Sequence, residues 1–326
     1  MKVLISHIDL DGLSCNVLQK LYSTKIPFDK IYNLDYGWET DSGIVKELSQ
    51  YDEIVFADMS CPIEIYQEWI DAGKIVRIFD HHDSAEVFIG KPDCIIDKTR
   101  CGAKIFFEEY VCKYIGRFRS IVAEYLELVN TYDLWQLDSL LWSKALDLNR
   151  VLYKYTYWNA KEIEDKYGRF FDSILRKLQT DKEFKFNLTE IQFIEDARES
   201  ENKAYIRALD TLKVRQDHRG KLFAIFLAWG KISITASKLL YEYTDPALDY
   251  VIAVQDYNNV YGRLSIRSRR GANFDCTKLG IFGGHIEASG CNLTPEQALY
   301  FYEKNVCFKY KDEITNENDI FQVLPR

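Results

Sequence analysis

The chain has 326 residues, 47% of them hydrophobic and 28% charged, with a formal net charge of −8. That length allows two domains with sizeable cores, and the acidic balance excludes broad, nonspecific binding to duplex DNA while leaving room for a local basic groove. Eight cysteines with no Cys-x-x-Cys pair fit reduced thiols in a cytoplasmic enzyme rather than a secreted disulfide framework. The first residues enter a strand directly, so no signal peptide is expected, and no apolar stretch is long enough to cross a bilayer.

Three apolar runs stop abruptly at acid or histidine. They are Lys2–Ser6 before His7, Glu53–Ala57 before Asp58, and Lys74–Phe79 before Asp80-His81-His82. Each is short, rich in β-branched or aromatic residues and bounded by turn residues, which predicts buried parallel strands. Between them the spacing predicts helices over Gly12 to about Tyr22 and over Ser42–Leu48, and a third opened by Pro62 and closed by Gly73. Lys30–Asn33 reads as a further short strand. This rhythm implies a doubly wound α/β domain. Helical patterns follow over Gly102 to Tyr114 and over Phe118 to Asn130, the latter running into Tyr132-Asp133-Leu-Trp135. Residues 139–187 read as mostly helical. Thr189-x-x-Gln192 has the form of a capping box that would start a connector helix reaching Val214. The expected division is 1–188, a connector over 189–216, and a smaller α/β domain over 217–326, with an active-site cleft between the domains. In the latter, Leu222–Leu227 predicts a strand and Ser233–Tyr243 a helix. Tyr250–Val254 and Tyr261–Arg267 predict a hairpin, Thr294-Pro295-Glu296 opens a helix, and the tail from Glu313 reads as loose.

Ligands of open α/β sheets bind beyond the carboxyl ends of the strands, so the three strand ends suggest one shared metal site. His7, Asp9 and Asp11 alternate, and in an extended chain all three would point to one side. Gathering several carboxylates without a counter-charge is costly, and a divalent cation removes that cost. Mixed oxygen and imidazole ligation suits Mn²⁺ better than Mg²⁺, and the lack of thiolates argues against structural zinc. A single aspartate at a strand end is more often a cap, and a single histidine more often a satisfied polar residue. Here, however, four of the five histidines fall into three short motifs (His7, His81-His82, His285). His218 reads as a surface turn residue.

His7-x-Asp9-x-Asp11-Gly12, Asp58, Asp80-His81-His82 and Asp133 resemble the four motifs of the DHH phosphoesterase superfamily. Gly283-Gly284-His285-x-x-Ala288-x-Gly290 resembles the glycine-histidine motif of the DHH-associated C-terminal domain. Order and spacing match across nearly the whole chain, and Val129-x-x-Tyr132-Asp133-x-Trp135 is most similar to the nanoRNase B branch. The resemblance implies two Mn²⁺ ions, with Mg²⁺ or Co²⁺ as substitutes. It implies one ion on His7, Asp9 and Asp58, and the other on Asp11, Asp58, His81 and Asp133. Asp80 would orient an imidazole and His82 would face the scissile phosphate. Two departures stand out. Phe282 replaces a usual glycine, and would narrow the pocket, stack on a base or serve as a core aromatic. Cys101 replaces a usual Ser or Thr, leaving the backbone N–H groups of the helix start to bind an anion.

In the second domain Tyr261, Arg263, Ser265, Arg267 and Arg269 are expected on one strand face, where guanidinium groups grip phosphates or stack on bases. Gly283 and Gly284 would allow close backbone approach and His285 would contact phosphate. Tyr257, Tyr261, Phe274 and Phe282 are the candidate base-stacking rings. The leading expectation is Mn²⁺-dependent hydrolysis of short single-stranded oligonucleotides, RNA first, to nucleoside monophosphates by a two-metal hydroxide mechanism. Cyclic dinucleotides or pAp are alternative substrates, single-stranded DNA exonuclease activity and an inactive nucleic-acid-binding subunit are further ones, and a homodimer is left open.

Overall fold

The structure is a computed structural model that describes residues 1–158, 166–230, 232–244, 246–257, 260–316 and 319–325; the side chains of residues 157–158, 256–257, 260–261 and 283–285 also lie outside the description. The chain divides into two compact units, Met1–Ile194 and Glu195–Arg326.

In the first unit the elements run β1 (Lys2–His7), α1 (Leu10–Leu21), β2 (Lys30–Leu34), α2 (Ser42–Leu48), β3 (Glu53–Ala57), α3 (Ile63–Asp71), β4 (Ile75–Asp80) and β5 (Cys94–Ile96), followed by α4 (Gly102–Glu109), α5 (Ser120–Asp133), α6 (Trp142–Trp158) and α7 (Gly168–Thr180). Helix α8 (Leu188–Asp210) runs on into the second unit. The five strands lie parallel in the order β2-β1-β3-β4-β5. Both sheet faces are covered, which is why the strands read as continuous apolar runs. Leu4, Val55, Ala57 and Phe79 pack against the layer of α1, α4, α5 and α7. Their neighbours Val3, Ile5, Ile54, Phe56 and Ile78 pack on the other side with Leu48, Tyr66 and Trp69 of α2 and α3. The strand order reverses between β1 and β3, the switch point at which open α/β sheets leave a crevice. The doubly wound sheet expected from sequence is therefore the observed fold.

The second unit adds β6 (Lys213–Gln216), β7 (Leu222–Ala228), α9 (Ile232–Glu242), β8 (Tyr250–Tyr257), β9 (Val260–Ser268), β10 (Gly283–His285), β11 (Ala288–Asn292), α10 (Pro295–Glu303), β12 (Val306–Phe308) and β13 (Phe321–Val323). Its sheet has the order β10-β11-β9-β8-β7-β6 and is antiparallel except between β7 and β8. One face packs with α9, the other with α10 and the C-terminal strands.

Several local expectations change. Helix α4 stops at Glu109, and a short 3-10 turn over Val111–Lys113 replaces its expected last turn. The capping box of α8 lies two residues earlier than Thr189: Asn187 Oδ1 accepts from the Glu190 N–H at 3.0 Å, and Glu190 Oε2 accepts from the Asn187 N–H at 2.8 Å. Glu190 is drawn there because its buried carboxylate also accepts from Ser173 Oγ at 2.6 Å and pairs with buried Lys177 at 2.8 Å. The helix ends at Asp210, short of Val214, and the chain then joins the second sheet. The tail is not loose: β13 pairs with β12, and Ile320 and Leu324 are buried in the second core. His218, by contrast, stands exposed in a turn as expected, with Nδ1 3.4 Å from Cys307 Sγ.

Candidate metal centre

The carboxyl ends of β1, β3 and β4 meet at the switch point. The first motif does not stay extended. Asp9 caps α1, accepting from the Gly12 N–H at 3.0 Å, and Asp11 already lies in the first helical turn. The three side chains converge because the chain turns into a helix at Leu10, not because of a strand alternation. Gly12 permits that turn: a Cβ on it would lie 2.3 Å from the His7 carbonyl oxygen.

Asp11 is buried, and its two oxygens accept from the backbone N–H groups of Gly102 at 2.6 Å and Ala103 at 2.8 Å. The start of α4 therefore already holds an anion, and that anion is a side chain of the protein rather than a phosphate. Asn130 Oδ1 takes the Cys101 N–H at 2.9 Å, so the hydroxyl absent at position 101 leaves no gap among these donors. Gly102 approaches so closely that an added Cβ would sit 2.5 Å from both Cα and Cβ of Asp58. Asp58 itself turns off the end of β3 with φ +61°, a left-handed conformation that aspartate tolerates better than most residues. Its N–H is held by the Phe79 carbonyl at 2.9 Å.

Donor atoms of His7, Asp9 and Asp58 lie within 4.8 Å of one another, as do those of Asp11, His81 and Asp133. Asp58 stands between the two groups, with Oδ2 4.0 Å from His7 Nδ1 and Oδ1 3.3 Å from His81 Nε2. His7 Nδ1 is 2.9 Å from Asp9 Oδ2, and His81 Nε2 is 3.2 Å from Asp133 Oδ2. Both oxygens of Asp58, Oδ2 of Asp80 and Oδ2 of Asp133 are buried with no hydrogen-bond partner among the described residues. An orphaned buried carboxylate costs several kcal/mol, and oxygen and imidazole donors at this spacing fit divalent cations. The nearby thiols do not compete: burial, then the charge of Asp11, pushes Cys15 and Cys101 well above the usual thiol pKa.

The electrostatics point the same way. Burial, then the charges of Asp11 and Asp9, raises Asp58 well above the usual carboxylate range, and Asp133 is raised by the same causes. Burial, the largest single influence, opposes ionisation of Asp9 too, but the bond to His7, the charge of that ring and the Gly12 N–H together outweigh it and hold Asp9 low. Asp80 is different. Its Oδ1 accepts from the His81 N–H at 2.7 Å and the His82 N–H at 3.2 Å, and lies 2.7 Å from His82 Nδ1. Burial works against a charge on His82, yet Asp80 keeps its pKa above the usual imidazole value. The other ring nitrogen, Nε2, is 3.1 Å from the hydroxyl of Tyr36. Tyr36 and Asp35, on the loop after β2, carry no pattern in the sequence that singles them out.

The second unit departs more from expectation. Phe282 is fully buried against Phe308 in the core, so it neither narrows a pocket nor stacks on a base. Phe274 is also buried, stacked on Tyr250 at 4.1 Å. Arg269 lies beyond β9, and its guanidinium donates to the carbonyls of Leu248 at 3.0 Å and Leu240 at 2.6 Å, so it holds α9 rather than a ligand. Arg263 is exposed on β9. Arg267 donates to Ser265 Oγ at 3.0 Å and to the Ile266 carbonyl at 2.8 Å. The register brings Arg267, Ala288 and His285 into one rank across β9, β11 and β10, and Gly283 and Gly284 into the ranks of Gly290 and Ser289. The side chains of His285, Tyr257 and Tyr261 lie outside the described residues.

No family model matches the chain. Two curated proteins are similar over most of it. Oligoribonuclease NrnB of Bacillus subtilis is 24% identical over 308 residues, covering 90% of this chain and 73% of that protein. A 3′,5′-cyclic-nucleotide phosphodiesterase of Helicobacter pylori is 24% identical over 333 residues, covering 88% and 91%. Among solved structures, the pGpG-specific phosphodiesterase PggH of Vibrio cholerae superposes with a TM-score of 0.58 at 17% identity, covering 92% of this chain and 96% of that one. The DHH domain of PF0399 gives 0.57 at 16%, covering 92% and 85%. RecJ of Thermus thermophilus in complex with Mn²⁺ gives 0.52 at 16%, covering 92% of this chain and 50% of that one. Fold and centre thus define a DHH-type domain followed by a smaller sheet domain. The sequence relatives and the order of the motifs support a DHH phosphoesterase superfamily member related to nanoRNase B.

Proposed function

We propose that the protein is a metal-dependent phosphodiesterase that hydrolyses short single-stranded oligoribonucleotides to nucleoside monophosphates. The observation that carries this reading is the set of buried carboxylate oxygens at Asp58, Asp80 and Asp133 that lack hydrogen-bond partners among the described residues, with Asp58 near the imidazoles of both His7 and His81. His7, Asp9 and Asp58 would hold one divalent cation, and Asp11, Asp58, His81 and Asp133 the other, with Mn²⁺ the ion that suits this donor set. When bound, such ions act as Lewis acids toward a phosphoryl oxygen and activate water near neutral pH. The chain's own contribution is positional. The start of α4 fixes Asp11, and Gly102 lets Asp58 stand between the two donor groups. Asp80 fixes the ring of His82 so that Nε2 is presented to the scissile phosphate. Arg263, Arg267, Gly283, Gly284 and His285 of the C-terminal domain are the proposed contacts to the rest of the substrate. In this reading residues 1–188 carry the chemistry, 189–216 connect, and 217–326 bind substrate.

The sequence relatives favour two substrate classes. NrnB, by its name an oligoribonuclease, supports the oligonucleotide reading, and the Helicobacter phosphodiesterase supports a cyclic nucleotide as the second. The test is a panel of labelled RNA and DNA oligomers of graded length, cyclic nucleotides and dinucleotides, and pAp, each incubated with Mn²⁺. Stepwise loss of the shortest RNAs to monophosphates is expected. Asp58→Ala should lower the rate by about a thousandfold, the equivalent of roughly 4 kcal/mol of lost transition-state stabilisation. Turnover confined to cyclic substrates would select the second reading, and unchanged turnover in Asp58→Ala would refute the site.

A further inference from the structure

The loop after β2 brings an aromatic residue to the centre that the motifs do not include. Leu34 is in register with His7 across the parallel pair β2–β1, so Tyr36 lies two residues beyond the rank of the histidine. Its ring centroid is 4.7 Å from that of His7 and 6.0 Å from that of His82, and its hydroxyl is 3.1 Å from His82 Nε2. Yet Tyr36 remains 59% exposed, so its position does not come from core packing. Anchors on both sides hold it. Asp35 Oδ1 accepts from the Tyr36 N–H at 2.9 Å and lies 3.4 Å from His7 Nε2. Gly37 turns the chain with φ +88°, and Trp38 is then buried against Phe56 at 5.8 Å.

We propose that Tyr36 is a phosphate-positioning residue, its hydroxyl acting beside His82 Nε2 to orient the phosphoryl group over the centre. The proposal rests on the phosphodiesterase reading above. Asp80 occupies Nδ1 of His82, so Nε2 is the nitrogen through which this ring can reach a substrate. Any phosphoryl oxygen that approaches Nε2 also comes within reach of the Tyr36 hydroxyl. The hydroxyl donates its proton to an anionic oxygen, a bond stronger than one between neutral groups. The ring, standing over His7, forms a wall that fixes the direction from which the phosphate enters. A short anchored loop also keeps the entropy lost on binding small, because the two groups are already side by side.

The test is Tyr36→Phe, with Tyr36→Ala to remove the ring as well. Two readouts are used: steady-state hydrolysis of a short RNA, and calorimetric binding of adenosine 5′-monophosphate to the Mn²⁺-supplemented protein. Losing a hydrogen bond to a charged oxygen should raise KM and the Kd for adenosine 5′-monophosphate by about tenfold or more. The effect on kcat should be smaller than that on KM, and Tyr36→Ala should lose at least as much. Because the side chain is more than half exposed, the melting temperature should not move. Equal KM and Kd in wild type and Tyr36→Phe would overturn the proposal. Tighter binding would do so too, since it would make the hydroxyl an obstruction. If the wild type turned over no phosphodiester, the activity reading would fail, while the binding arm would still report on Tyr36; no monophosphate binding to the wild type would overturn both.

Discussion

At the carboxyl end of the parallel sheet, Asp58 keeps both oxygens buried with no hydrogen-bond partner among the described residues, while in the second sheet domain Arg269 spends its guanidinium on the carbonyls of Leu240 and Leu248. Both are charged side chains at the end of a strand. One is left unsatisfied where an external cation would complete it, and the other is satisfied by the chain itself. A charged group at a strand end is thus a site residue when its neighbours share its sign and nothing in the chain answers it. When backbone oxygens already answer it, it is a structural tie. Asp80 shows the boundary inside the first region: Oδ1 is within hydrogen-bond distance of three nitrogens, Oδ2 lacks a partner among the described residues, and its proposed role is to orient His82.

The largest effect is expected at Gly102. Gly102→Ala would force a Cβ to within 2.5 Å of Asp58 Cα and Cβ, atoms that cannot yield without moving the strand end. We expect a loss of about 3 kcal/mol in denaturant-induced unfolding, in the overpacking range, with Mn²⁺ affinity and turnover falling at least a hundredfold. Unchanged metal affinity would mean that Asp58 needs no fixed placement. A smaller effect is expected in the second region. Arg269→Ala should cost about 2 kcal/mol of stability, typical of hydrogen bonds to a charged group, with no change in Mn²⁺ affinity. A Kd for substrate raised by this substitution, without loss of stability, would return Arg269 to the substrate-binding set.

The fold was legible because both faces of the first sheet are covered, so β1, β3 and β4 appear as apolar runs that end where the covering layers end. The clustering of acid and imidazole groups was legible because the proposed divalent-cation site needs them at those same ends. What sequence could not supply was anything set by a distant element. That Asp11 caps the start of α4, 91 residues away, follows only once α1 and α4 pack together. Phe282, a candidate ring in sequence, is core because it falls against Phe308, which itself packs on Phe301. The shift of the α8 cap from Thr189 to Asn187 depends on Lys177 and Ser173 drawing Glu190 inward. Tyr36 sits in a polar loop with no periodicity, and only the parallel register of β2 with β1 places it beside His82.

In the proposed function the orphaned oxygens of the first region form a site for two divalent cations with Asp58 between them. The direct measurement is calorimetric titration of Mn²⁺ into the metal-free protein, with Asp58→Asn in parallel. Two ions per chain are expected for the wild type, with loss of tight binding at both sites in Asp58→Asn, since the amide removes the shared charge. A wild type that takes up no Mn²⁺, or an Asp58→Asn protein that binds two ions as tightly as the wild type, would contradict it.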